Sequence, residues 1–164
     1  MGSGDSNGDG DLMTATISSK AAQGYAGDVT PQEAWRVLSL NEGAQLVDVR
    51  SAAEWTFVGA PDLSSLKASP IFVEWKSFPG MGRVESFASD VSQALASAGA
   101  DAETPVFFLC RSGGRSASAA GALTQMGAKA AFNVAGGFEG DLNVDRHRGG
   151  VSGWKAGDLP WVQT

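Results

Sequence analysis

The stretch PVFFLCRSGGRS, residues 105–116, joins an apolar run to a short polar loop that contains the only cysteine of the chain. Residues 105–109 are apolar throughout, which is typical of a central strand that is covered on both faces. From Ser116 to about Met126 the chain is rich in alanine and predicts a helix, which Gly127 ends. The stretch therefore predicts a buried strand, a tight loop that begins at Cys110, and a helix.

The flanking sequence repeats this alternation of strands and helices. Further apolar runs predict strands at residues 45–49, 71–75 and 130–134. Helices are predicted to begin at Thr30, to cover residues 51–55 and to cover about residues 84–98. Helices that alternate with short apolar strands indicate an α/β fold, in which a parallel sheet carries helices on both faces.

Chain length and composition indicate one folded domain. The 164 residues match one domain of ordinary size. Residues 1–12 are almost entirely glycine, serine, aspartate and asparagine, a composition that cannot bury a core. We expect residues 1–27 to be a disordered or vector-derived segment and residues 28–164 to form the single domain.

Charge and residue counts exclude several classes of function. The net charge of −6 argues against binding to nucleic acid or to an anionic membrane surface. One cysteine and one histidine, His147, provide neither a disulfide nor a metal site, and we expect no cofactor. No apolar stretch approaches the length of a membrane span and no signal peptide is evident, so we expect a soluble cytoplasmic protein.

The loop after the central strand has the composition of an anion-binding site. Ligands of open α/β sheets bind at the carboxyl ends of the strands. Gly113 and Gly114 allow a tight turn whose N–H groups converge, and the following helix adds the positive end of its dipole. These groups, together with Arg111 and Arg115, should stabilise Cys110 as a thiolate and thereby make it a nucleophile. Ser112 and Ser116 offer hydroxyl groups, although Ser116 could instead cap the helix.

Three segments resemble the rhodanese sulfurtransferase family. CRSGGRS (110–116) resembles its active-site loop, LVDVRSAAEW (46–55) its early strand motif and NVAGGFEG (133–140) its late Gly-Gly motif, and they occur in the family's order. The resemblance covers roughly residues 28–164 and implies a rhodanese-like domain with a five-stranded parallel sheet. It also implies transfer of sulfane sulfur from a donor such as thiosulfate, through a persulfide on Cys110, to a thiophilic acceptor such as cyanide or a thiol.

The segment between residues 57 and 82 departs from the family pattern. Many relatives have Gly-His-Ile-Pro-Gly-Ala soon after the first motif, whereas this chain has FVGAPDLSSL followed by IFVEWKSFPGMGR, without a histidine. This segment leaves the pocket rim, and therefore the acceptor, undetermined. A protein that accepts the sulfur is one alternative, and a persulfide carrier or partner-docking module without rapid turnover is another.

The spacing within the loop separates sulfur transfer from phosphate chemistry. Cysteine phosphatases place five residues between the cysteine and the arginine, whereas four residues separate Cys110 from Arg115. A loop that is one residue shorter should be too tight for a phosphoryl group and should still hold one sulfur atom.

Asp48, Arg50 and Glu54 are predicted to form a salt-bridge cluster that supports the ends of the strands.

Overall fold

The computed structural model describes residues 17–77, 82–83 and 86–163, with the side chains of residues 77, 82 and 83 excepted. The strands are β1 (Gly27–Val29), β2 (Gln45–Asp48), β3 (Ala60–Pro61), β4 (Ile71–Phe72), β5 (Lys76–Ser77), β6 (Gly82–Arg83), β7 (Val106–Leu109), β8 (Ala131–Val134) and β9 (Trp161–Val162). The α-helices are α1 (Pro31–Leu40), α2 (Ala52–Phe57), α3 (Phe87–Ser97), α4 (Gly114–Gln125) and α5 (Gly153–Ala156), and a 3₁₀ turn covers Ser64–Leu66.

The main sheet has five strands in the order β1-β8-β7-β2-β4, and all of its pairs are parallel. Strand β7, predicted from its apolar sequence to be central, occupies the middle of the sheet. The predicted α/β class with a five-stranded parallel sheet is therefore confirmed. Short antiparallel pairs, β3 with β9 and β5 with β6, lie outside this sheet.

Two apolar cores cover the two faces of the sheet, because neighbouring residues of a strand point to opposite faces. Phe107 belongs to the core that includes side chains of α1 and α5, and Phe108 belongs to the core that includes side chains of α3 and α4. Both phenylalanines are fully buried. This packing explains why β7 is apolar at every position.

Strand β1, at one edge of the main sheet, begins within the segment predicted to be disordered. Gly27–Val29 pairs with β8, and Lys20 forms a bridge with Asp28. Ile17 is buried in the core on the α1 side. The expectation of disorder is therefore wrong for residues 17–27, which pack against the domain, whereas residues 1–16 lie outside the described residues.

Several helix and strand ends differ from those predicted. Strand β4 ends at Phe72 instead of residue 75, although the N–H of Trp75 still donates to Val49 O at 3.1 Å. Helix α4 begins at Gly114, two residues before Ser116, and helix α3 begins at Phe87. Residues 84–85, the predicted start of α3, lie outside the described residues.

The caps of the first two helices lie where the sequence predicts them. Thr30 accepts a hydrogen bond from Glu33 N at 3.0 Å, while the carboxylate of Glu33 pairs with Arg36. Ser51 and Glu54 form a complete capping box on α2. No helix in the described part of the chain is long and apolar enough to cross a membrane.

Candidate active site

Cys110 directly follows β7 at the carboxyl edge of the sheet, and the residue is only 1% exposed. Gly113 is the N-cap of α4 and adopts φ +116°, a left-handed conformation that favours glycine. In this conformation the Gly113 N–H donates a hydrogen bond to Cys110 Sγ at 3.1 Å. The sulfur therefore lies at the amino end of α4, where N–H groups and the helix dipole favour negative charge.

Ser116 provides a second polar contact to the sulfur from the first turn of α4. Its Oγ lies 3.1 Å from Cys110 Sγ and 2.5 Å from Asn133 Oδ1. Because Gly113 is the N-cap, Ser116 does not cap the helix, and its fully buried hydroxyl points at the cysteine. Ser112 and Gly114, the other predicted loop residues, are exposed.

A chain of hydrogen-bonded polar groups continues behind Ser116, of which Asn133 is buried and Asp28 and Tyr25 are half-buried. Asn133 Nδ2 donates to Asp28 Oδ1 at 2.9 Å, and Tyr25 Oη donates to the same oxygen at 2.8 Å. Asp28 and Asn133 are register partners on β1 and β8. Burial, together with the hydrogen bond and charge of Asp28, raises the pKa of Tyr25 to about 12. Tyr25 therefore remains a donor throughout the neutral range.

The late Gly-Gly segment anchors the beginning of the loop. Phe138 N donates to Cys110 O at 2.7 Å, and Glu139 N donates to Arg111 O at 3.0 Å. Gly137 lies so close that a Cβ atom there would overlap the carbonyl of Cys110, and its φ is +62°. Residues 137–139 of the motif thus hold the loop through their backbone, whereas Asn133 contacts the site through its side chain.

Glu54 pairs with Arg115 and not with Arg50. The Arg115 guanidinium donates to both Glu54 carboxylate oxygens, at 2.6 and 3.0 Å. Burial raises the pKa of Glu54. The hydrogen bond and charge of Arg115, together with hydrogen bonds from Ser51, lower it by a larger amount, so the net shift of the pKa is downward. The predicted cluster of Asp48, Arg50 and Glu54 is therefore divided between two ion pairs.

Asp48 and Arg50 form the second ion pair, which is fully buried. Arg50 Nη2 lies 2.7 Å from Asp48 Oδ2 and also donates to Gly59 O at 2.8 Å. The guanidinium carbon lies 4.2 Å from the centre of the Phe138 ring. This pair joins the end of β2 to Gly59 and to the ring of Phe138 in the Gly-Gly segment.

A groove beside the loop carries an excess of positive charge. Its volume is about 850 Å³, and α2, the active-site loop and the segment after Gly140 contribute to its walls. Five basic side chains and two acidic ones line it; these are Lys76, Arg111, Arg115, Arg146 and Arg148, with Glu54 and Glu139. Since Glu54 already pairs with Arg115, the remaining lining favours an anionic ligand even though the whole chain is acidic.

Sequence reasoning missed the groups behind the cysteine and the basic residues of the segment after Gly140. A polar Asn133 within an otherwise apolar buried strand was the available signal, because a buried amide needs hydrogen-bond partners. His147, predicted to be exposed, is exposed. Among the described residues, no three acidic, histidine or cysteine side chains are grouped so that they could hold a metal ion.

Comparison with family models assigns most of the chain to a family. Residues 26–164 match the family model described as the STR4 middle domain. The match includes β1, the active-site loop, the Gly-Gly segment and the C-terminal β9.

Three individual proteins illustrate the similarity. The crystal structure of Rv0390 from M. tuberculosis is 45% identical, with a TM-score of 0.76, over 85% of this chain and 99% of that one. An uncharacterized protein of Rickettsia conorii, RC0915, is 37% identical over 82% of this chain and 95% of its own length. A rice chloroplast protein named THYLAKOID RHODANESE-LIKE is 31% identical over 92% of this chain, which corresponds to 28% of that protein.

Proposed function

This chain belongs to the family described as the STR4 middle domain and has a rhodanese-like fold, and from this premise we propose that it is a sulfurtransferase that uses Cys110. The observation that carries the proposal is the position of Cys110 Sγ, which receives the Gly113 N–H at the amino end of α4. A sulfur atom in this position can be stabilised as an anion and can hold a second sulfur atom near the same N–H groups.

The proposed reaction is a double displacement through a persulfide. The Cys110 thiolate attacks the outer sulfur of thiosulfate, a new S–S bond forms at Sγ, and the S–S bond of thiosulfate breaks as sulfite leaves with the electron pair. Cyanide or a thiolate then attacks the outer sulfur of the persulfide, which returns Cys110 as a thiolate. Charge balances in both steps, and neither step requires a cofactor or a metal.

The groove supports an anionic donor. Arg111 and Arg115 lie on the active-site loop itself, and Arg146 and Arg148 face the same space. We propose that Arg111 attracts the donor directly, whereas Arg115, which is held by Glu54, contributes its charge from a fixed position. Ser112 and Gly114 would meet the donor at the exposed side of the loop, while Ser116 contacts the sulfur from below.

Loading of Cys110 tests the proposal directly. After treatment with thiosulfate, intact-mass measurement should find one added sulfur atom, and peptide mapping should place it on Cys110. Cys110→Ser should gain no sulfur and should produce no thiocyanate from thiosulfate and cyanide. Equal sulfur transfer by Cys110→Ser would disprove the mechanism, and phosphate release from an aryl phosphate would indicate the phosphatase alternative.

A second candidate function is delivery of the sulfur to a protein with little turnover on small acceptors. Exposed apolar side chains in the lining of the groove favour it: Phe57 is 76% exposed and Leu142 is 46% exposed. Such residues on a surface are typical of protein contacts when they lie together. A loaded protein that keeps its persulfide in cyanide but loses it to a partner thiol would support this carrier role. A free catalytic thiol suits the reducing cytoplasm under either role.

A further inference from the structure

Three hydrogen-bonded polar groups lie behind the sulfur contact of Ser116; Asn133 is buried, and Asp28 and Tyr25 are half-buried. Asn133 is 5% exposed within β8, a strand that is otherwise apolar, and it is connected through Asp28 to Tyr25. A buried amide is costly to desolvate and is retained only where hydrogen bonds satisfy it. These groups therefore need an explanation beyond packing.

The orientation of the Asn133 side chain follows from its contact with Asp28. A carboxylate oxygen accepts hydrogen bonds, so the Asn133 amide must turn its NH₂ group toward Asp28. Its carbonyl oxygen Oδ1 then faces Ser116 at 2.5 Å. Tyr25 donates to the same carboxylate oxygen and holds it in place.

Ser116 has one hydroxyl proton and two neighbours that could accept it. Asn133 Oδ1 can only accept, and it lies closer, at 2.5 Å, than Cys110 Sγ, at 3.1 Å. With the proton directed to Asn133, the lone pairs of Ser116 Oγ face the cysteine. A protonated thiol completes this chain by donating S–H to Ser116, whereas a thiolate would compete with Asn133 for the single proton.

We propose that Tyr25, Asp28 and Asn133 form a positioning relay that directs the Ser116 proton away from Cys110 and so restrains the resting cysteine in its thiol form. The relay rests on the proposed function only in taking Cys110 as the nucleophile. It acts against the groups that favour the thiolate, which are Gly113 N–H and the amino end of α4. In the persulfide the charge lies on the outer sulfur, so the loaded cysteine does not compete for the Ser116 proton.

The charged groups around the cysteine define what else could change its reactivity. Arg115 of α4 interacts electrostatically with Cys110 and is neutralised in part by Glu54 of α2. Asp48, at the end of β2, is paired with the buried Arg50. The relay differs from these charges because it acts through one oriented proton and not through distance-dependent attraction.

The pH dependence of alkylation tests the relay without any sulfur donor. Iodoacetamide labelling of Cys110, followed by intact mass over pH 5–9, compares the parent protein with Asn133→Ala, Ser116→Ala and the double variant. Loss of the Asn133 acceptor frees the Ser116 proton for the sulfur, so Asn133→Ala should be labelled at least about threefold faster at pH 6. A threefold change corresponds to less free energy than one hydrogen bond to a charged group contributes. In the Ser116→Ala background the same change should have no effect, because no proton remains to be directed.

Two results would overturn the relay: slower or unchanged labelling of Asn133→Ala, or the same acceleration in the Ser116→Ala background. If Asn133→Ala does not fold, Asn133→Leu decides the matter. Leucine has a branched shape similar to that of asparagine and offers Ser116 no acceptor, so faster labelling supports the relay and unchanged labelling contradicts it. Because labelling requires no sulfur transfer, failure of thiosulfate loading would count against the proposed function alone.

Discussion

The Arg115 guanidinium donates to both carboxylate oxygens of Glu54, and this ion pair joins the first turn of α4 to helix α2. Both side chains are largely buried, with 15% and 18% of their surface exposed. The pair therefore connects two of the motifs that carry the family resemblance, the active-site loop and the early strand motif. It also fixes one wall of the basic groove.

Replacement of Glu54 by glutamine should destabilise the protein by about 1–2 kcal/mol at pH 7, because a charged hydrogen-bonded partner of Arg115 is lost. The folded-state pKa of Glu54 is lowered from its ordinary value of 4.5. The Glu54–Arg115 pair therefore contributes its full stabilisation above pH 4.5, and this contribution is lost as the pH falls through the lowered pKa of Glu54. Urea unfolding at pH 7 and pH 3 should find a smaller difference between Glu54→Gln and the parent protein at pH 3. An equal difference at both pH values would contradict the assignment.

Gly137→Ala should prevent correct closure of the active-site loop. A methyl group there would overlap the carbonyl of Cys110, and the φ of +62° disfavours a side chain. We expect a loss of about 1–3 kcal/mol in stability and a strong fall in thiosulfate loading. Gly150→Ala is the matched control, since Gly150 has an ordinary φ and no atom within 4 Å of the added methyl group. Normal loading by Gly137→Ala would contradict the anchoring role of this segment.

The phenol of Tyr25 should titrate late, and it can be followed without interference because it is the only tyrosine. Phenolate absorbance of the folded protein should have its midpoint near pH 12, whereas the urea-unfolded chain should titrate near the ordinary value of 10.0. Since the folded state holds the Tyr25 proton more tightly than the unfolded state does, the contribution of Tyr25 to stability should be fully present below pH 10. That contribution should fall as the pH rises toward 12. Asp28→Asn should move the folded midpoint downward, and an unmoved midpoint would rule out the hydrogen bond.

Arg146→Glu should raise the KM for thiosulfate several-fold with a smaller effect on kcat, because a charge reversal in the groove weakens attraction of an anion. The effect should decrease at high salt, where exposed charges are screened. Lys129→Glu is a control of equal charge change, since Lys129 precedes β8 at the opposite edge of the sheet and pairs there with Glu103. Equal KM values for the two variants would show that the groove does not bind the donor.

The sequence was informative about the elements that are decided locally. The apolar run at 105–109 indicated a central strand because only a strand covered on both faces needs apolar side chains at every position. Thr30 and Ser51 marked helix starts because their side chains satisfy free N–H groups of the first turn. Strand β1 was missed because GDV is three residues long and has no apolar pattern, and it is a strand only by pairing with β8.

The partners in the ion pairs and the positions of the protons could be assigned only from the tertiary structure. The spacing of Asp48, Arg50 and Glu54 suggested one cluster, but the sequence could not indicate that α2 turns Glu54 toward Arg115, which lies sixty-one residues away. The groove likewise combines residues of distant segments, so its charge could not be read from the acidic composition.

The sequence by itself determined the α/β alternation and the strand–loop–helix unit around Cys110, because these depend on hydrophobic pattern and glycine positions. It also predicted Cys110 as the nucleophile, because the chain has no other cysteine. The tertiary structure decided what surrounds that sulfur. Ser116 reaches Cys110 from within α4, and Asn133 and Asp28 meet behind it only because β8 pairs in parallel with β1. A hydrogen bond between side chains that are 105 residues apart depends on strand order and register, which no local pattern specifies.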